Sequence, residues 1–183
     1  MSAKSRSGQQ LSQRQISQMI TAIEHGGPQA AEIMSSIGKD TGHAYTIGIT
    51  GPPGAGKSTL VSQLTNLLRN NGLTVGVIAV DPSSPFTDGA LLGDRIRMMK
   101  HFDNPHVFIR SMATRGSLGG LAYNCIEVAD ILDASGFDII IFETVGVGQI
   151  ELDIMNASDS IIVVLVPESG DDIQMMKSGL MEI

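Results

Sequence analysis

The chain has 183 residues, a length that suits one domain plus an appendage and can bury a core without disulfide or metal staples. Twelve Lys and Arg against 19 Asp and Glu leave a net charge of −7, which argues against a generic nucleic-acid binder, because phosphate neutralisation needs cationic side chains. The single cysteine, Cys125, excludes an intrachain disulfide framework and a thiolate-rich metal site.

Residues 1–11 are small and polar and read as a disordered tail. From Ser12, Ile16, Met19, Ile20 and Ile23 recur at helical spacing, and His25-Gly26-Gly27-Pro28 ends that helix. A second short helix is expected over 28–37, and 39–43 is a polar link. Residues 12–43 are thus predicted to be an N-terminal helical extension. From Ala44 strands and helices alternate. Tyr45–Thr50 is a β-rich run, and Lys57–Asn70 carries Leu60, Val61, Leu64, Leu67 and Leu68 at helical period. Leu73–Val80 is an apolar strand and Val107–Arg110 a weaker one. Gly119–Ala134 reads as a helix, and Phe137–Glu143 and Ser160–Val166 as strands. Continuous apolar strands separated by helices predict an α/β fold with a mostly parallel sheet flanked by helices. Residues 44–183 form that domain. No apolar run approaches the ~20 residues of a membrane helix, and the N-terminus lacks a signal peptide's apolar stretch. A cytoplasmic protein with no membrane insertion is expected.

Residues 51–58, Gly-Pro-Pro-Gly-Ala-Gly-Lys-Ser, fit the phosphate-loop pattern G-x-x-x-x-G-K-[ST] at every fixed position, between a strand and a helix as that loop requires. Gly51, Gly54 and Gly56 let the backbone wrap a phosphate, with Pro52, Pro53 and Ala55 between them. Lys57 should reach the β- and γ-phosphates, Ser58 should ligate Mg²⁺, and Thr59 closes the loop. The helix N-terminus adds partial positive charge. The bland alternative is a glycine-rich βα turn. With Pro at 52, the variant loop with a second lysine does not apply.

A metal–nucleotide complex needs a carboxylate at a strand end. Asp81 ends the second strand, Asp94 follows in Gly-Asp-Arg, and Glu143 ends FDIIIFE. Glu143-Thr144-Val145-Gly146 has the spacing of the D-x-x-G switch of GTPases with Glu for Asp, which puts the Gly146 N–H within reach of a γ-phosphate. Each acid could instead be a solvated loop residue or a helix cap. Lys57, Asp94 and Glu143 are the catalytic candidates; Ser58, Asp81, Asp94 and Glu143 are the metal candidates. The four histidines lack metal-ligand spacing, and Cys125 reads as a core thiol. No side chain is assigned to the attacking water; Gln149 lies three residues after Gly146, not the familiar spacing.

The stretches IGITGPPGAGKSTL, VIAVDPSSPFTDGALLGDRIRM, RGSLGGL and FETVGVGQIELDI together resemble the MeaB/ArgK-type P-loop GTPases, over about residues 12–183. The resemblance implies GTP/GDP and Mg²⁺ as ligands. It also implies a chaperone role toward adenosylcobalamin-dependent methylmalonyl-CoA mutase and related acyl-CoA mutases, in cofactor loading and protection, and a homodimer in the complete family form. On it, Gly51–Thr59 is the phosphate loop, Asp81 to about Arg97 switch I, Glu143–Gln149 switch II, and 167–177 a third mobile segment. Older family naming, which links it to lysine/arginine/ornithine transport, leaves an ATPase or kinase as the alternative. A truncated nucleotide-binding module without hydrolysis is a third. The Asn-Lys-x-Asp motif that reads guanine does not occur in the chain, so the domain is expected to stop short of its base-recognition strand.

Overall fold

The computed structural model describes residues 11–85, 104–114, 118–145 and 148–166. Helix α1 (Gln13–His25) starts where Ser12 accepts from the Gln15 N–H while the Gln15 side chain accepts from the Ser12 N–H, a reciprocal capping box. Pro28 opens α2 (Pro28–Ile37) at a position where its missing N–H costs nothing. Then follow β1 (Tyr45–Thr50), α3 (Lys57–Asn70), β2 (Val75–Pro85), β3 (Val107–Thr114), α4 (Leu118–Ala134), β4 (Ile139–Thr144), α5 (Gln149–Asn156) and β5 (Ser160–Val163).

All described pairings are parallel, in the order β3-β2-β4-β1-β5. Alternation along the strands divides the core in two. Val75, Val77 and Ile141 face α3 together with Ile49 and Val61. Ile78, Val80, Ile140 and Phe142 face the opposite side and join α4, α5 and the N-terminal helices. Ile16, Ile20 and Ile23 of α1 are almost wholly buried in that second core, so α1 and α2 share it with the sheet. Arg110 of β3 holds Glu24 of α1 with two hydrogen bonds, at 3.2 and 2.6 Å.

Sequence and structure differ at several boundaries. Strand β2 begins at Val75 because Thr74 is occupied with Asp138, and it runs on past Val80 to Pro85, where a register shift carries its pairing to Thr114 of β3. Strand β4 begins at Ile139, two residues later than expected, since the Asp138 N–H bonds Thr74 Oγ1. Strand β5 ends at Val163. The eight-residue α5 has no counterpart among the helices expected from the sequence. No helix among the described residues is long and apolar enough to cross a membrane.

Candidate nucleotide site

Strands β1 and β4 lie side by side, yet the chain leaves β1 through α3 on one face and β4 through α5 on the other. Such a reversal opens a crevice at the carboxyl ends of the strands, where open α/β sheets place ligands. The loop 51–56 bridges β1 to α3 at that point. Gly51, Gly54 and Gly56 have φ of +146°, +76° and +93°, a region that disfavours side chains. Gly51 has a second reason to be glycine: a Cβ there would strike the Val164 carbonyl oxygen.

Lys57 and Ser58 occupy the first turn of α3 and are buried, while Pro53, Gly54, Gly56 and Thr59 are exposed along the loop's outer side. The Lys57 ammonium donates to the carbonyl oxygens of Gly51 and Pro52, each at 2.8 Å. It therefore lies folded across its own loop, with charge directed into the loop's concavity. Beneath it, Ser58 Oγ donates to Glu143 Oε1 at 2.5 Å. These residues are 85 positions apart and meet because Glu143 projects from the α3 side of β4. Hydroxyl and carboxylate oxygens this close, at a helix N-terminus, are hard donors of the kind Mg²⁺ prefers, so the residues present fit that cation beside phosphates.

Asp81, expected to end the second strand, instead lies within β2, which runs on to Pro85; it is one residue past the Val80–Thr144 pairing and pairs with Ala113 of β3 just before the register shift. Its charge bears on Glu151 of α5. The structure thus brings Lys57, Ser58 and Glu143 into one cluster and sets Asp81 at the same sheet edge. Asp94 and Gly146 lie outside the described residues, as do Arg95, Arg97 and the segment 167–177. Gln149 bonds Asp153 at 3.0 Å on the exposed side of α5. Cys125 is wholly buried, and burial, with a smaller push from Glu24, drives its thiol far above the ordinary range; it is inert core.

Sequence reasoning missed Glu151. It is buried, and its carboxyl is raised by burial, while hydrogen bonds from its own N–H and that of Gly148 pull it down and Asp81 pushes it up. A glutamate at the third helical position was the available signal, since this position commonly serves the N-cap amide.

Residues 16–183 match the family described as methylmalonyl Co-A mutase-associated GTPase MeaB. The chain is 58% identical over 170 residues to a relative from Pyrococcus abyssi, covering 93% of this chain and 52% of that one. It is 40% identical over 172 residues to the GTPase ArgK of Escherichia coli, covering 92% and 52%. It is 39% identical over 153 residues to the methylmalonic aciduria type A homolog, mitochondrial, of Caenorhabditis elegans, covering 83% and 38%. The chain therefore spans about half the length, or less, of these relatives. Among solved structures, the LAO/AO transport system kinase superimposes with a TM-score of 0.66 at 25% identity, covering 93% of this chain and 58% of that one. The signal recognition particle receptor FtsY from Elizabethkingia anophelis shares the fold, with a TM-score of 0.53 at 18% identity over 93% and 53%. The phosphate loop, the glutamate at the end of β4 and the family match over 16–183 agree: the chain belongs to the MeaB family of methylmalonyl-CoA mutase-associated GTPases.

Proposed function

We propose that the chain binds GTP with Mg²⁺, hydrolyses it to GDP, and serves an adenosylcobalamin-dependent methylmalonyl-CoA mutase as a chaperone in cofactor loading and protection. The observation that carries the nucleotide part is the Ser58–Glu143 pair at 2.5 Å below the phosphate loop. It joins a hydroxyl and a carboxylate that P-loop hydrolases use beside the phosphates. The family description and the name of the C. elegans relative support the mutase as partner.

In this reading Lys57 leaves the Gly51 and Pro52 carbonyls for the β- and γ-phosphate oxygens. The loop amides and the N-terminus of α3 hold the remaining charge. Ser58, Glu143, Asp81 and Asp94 hold Mg²⁺, which when bound neutralises charge on the β- and γ-oxygens. Glu143 also anchors the switch that begins at the end of β4, with Gly146 answering to the γ-phosphate. The chain contributes positioning and electrostatic stabilisation, which together account for most of the rate enhancement in phosphoryl transfer.

An ATP-dependent kinase or transport ATPase is the second reading, favoured by the name of the superimposing transport system kinase. Competition between GTP and ATP for the Mg²⁺-loaded protein separates the two. GTP displacing labelled GDP far better than ATP supports the first, and tight ATP binding without GTP preference sinks it. For the partner, GTP turnover is measured with and without the mutase; a rate indifferent to mutase, with no complex on gel filtration, removes the chaperone role.

A further inference from the structure

Helix α5 is pinned at both ends, and the pins differ in kind. At its carboxyl end it presses on β1 so closely that a Cβ at Gly48 would sit 2.5 Å from Met155 Sδ and 3.0 Å from Ser158 Oγ. Just beyond, Asp159 accepts from the Thr46 N–H at 2.7 Å and the Thr46 hydroxyl at 2.8 Å. This end cannot slide along the sheet without losing close packing.

At the amino end, the N-cap is Gly148, which has no side chain to serve the helix. Glu151 reaches back from the third helical position and accepts from the Gly148 N–H. The fit is tight: a Cβ on Gly148 would lie 2.8 Å from Glu151 Oε2. This is the return half of a capping box. Capping needs no burial, because an exposed acid does it as well. Yet Glu151 is only 5% exposed, and keeping a carboxylate from water is costly unless its bonds are good. The charge of Asp81 on β2 adds a smaller repulsion. Glu151 is thus buried against the start of α5, within the electrostatic reach of a metal candidate on β2.

We propose that Glu151 is a positioning residue for hydrolysis: it holds the Gly148 amide to a helix locked on β1, and so fixes where the chain returns after Glu143. Nucleotide capture falls to Lys57 and the loop on the α3 side, whereas Glu151 belongs to α5, which packs on the opposite face of the sheet. The proposal rests on the GTPase reading above.

The test uses the full chain with Glu151→Ala and Glu151→Gln, and reads steady-state GTP hydrolysis, GDP affinity and the thermal midpoint. Glu151→Ala is expected to lower kcat about 10- to 100-fold, the scale of a small misplacement at a reacting centre, with KM and GDP affinity unchanged. Glu151→Gln, which keeps an acceptor oxygen for Gly148, is expected to restore most of kcat. An unchanged kcat in Glu151→Ala overturns the proposal. So does a loss of GDP affinity equal to that of kcat, or Glu151→Gln falling as low as Glu151→Ala at an unaltered midpoint. A parent chain that binds GDP but hydrolyses no GTP sinks the GTPase reading, and the role of Glu151 falls with it; an active parent with an indifferent variant sinks Glu151 alone.

Discussion

The two ends of the sheet use carboxylates in opposite ways. At the amino ends of the strands, aspartates stitch backbone together. Asp133, buried at the end of α4, accepts from the amides of Gly42, His43 and Ala44 at 2.6, 3.0 and 2.9 Å. Asp138 takes the N–H and hydroxyl of Thr74, and Asp159 those of Thr46. Each is matched by backbone donors that no ligand needs to displace. Toward the carboxyl ends, Glu143 meets the hydroxyl of Ser58, and the like charge of Asp81 bears on Glu151. There Glu143 is paired with a side-chain hydroxyl instead of fastening strands. The aspartates bonded to strand backbone support the fold, whereas Glu143, bonded to a side-chain hydroxyl, is the acid proposed to serve a ligand.

Substitutions at the two ends should therefore separate function from stability. The largest effect is expected at Lys57→Ala, with Mg-nucleotide affinity falling about 100-fold or more, the scale of losing a desolvated charge partner. Titration calorimetry checks it, and an unchanged dissociation constant refutes the phosphate loop. Next comes Glu143→Ala, expected to slow hydrolysis about 100-fold while weakening nucleotide binding much less. Single-turnover kinetics beside equilibrium binding read the two, and equal losses would move Glu143 to the structural side.

Asp133→Ala belongs to the other end. It leaves three amides without their acceptor and should cost about 3 kcal/mol of stability, seen in urea unfolding, with nucleotide affinity intact. A loss of affinity at preserved stability would break the contrast. The smallest effect is expected at Asp159→Ala, about 1 kcal/mol, because that aspartate is exposed and water can replace it. A cost as large as that at Asp133 would show that burial does not set the scale.

How much of this was legible in the sequence follows from how local each feature is. The phosphate loop was legible residue by residue, since its glycines, lysine and serine are contiguous and their backbone demands are their own. Glu143 was legible because an apolar run that ends in an acid marks a strand end at the sheet's edge. Its meeting with Ser58 across 85 residues follows only from the strand order. Asp133 gave no signal, as its three partners lie about 90 residues upstream. Helix α5 has eight residues and a glycine N-cap, too short for a period and without a capping side chain to announce it. The run of β2 beyond Val80 was hidden by Pro82 and Pro85, which usually signal a turn.

The crowding at Gly51 carries a consequence for descent. The Val164 carbonyl, in the stretch after β5, fills the space a side chain at 51 would need. Glycine there is demanded by the neighbouring backbone whether or not a phosphate is ever bound. Lys57 is placed differently, with its ammonium donating to the carbonyl oxygens of Gly51 and Pro52. A lineage that gave up nucleotides would be expected to lose the lysine first and to keep the first glycine as a relic of the fold.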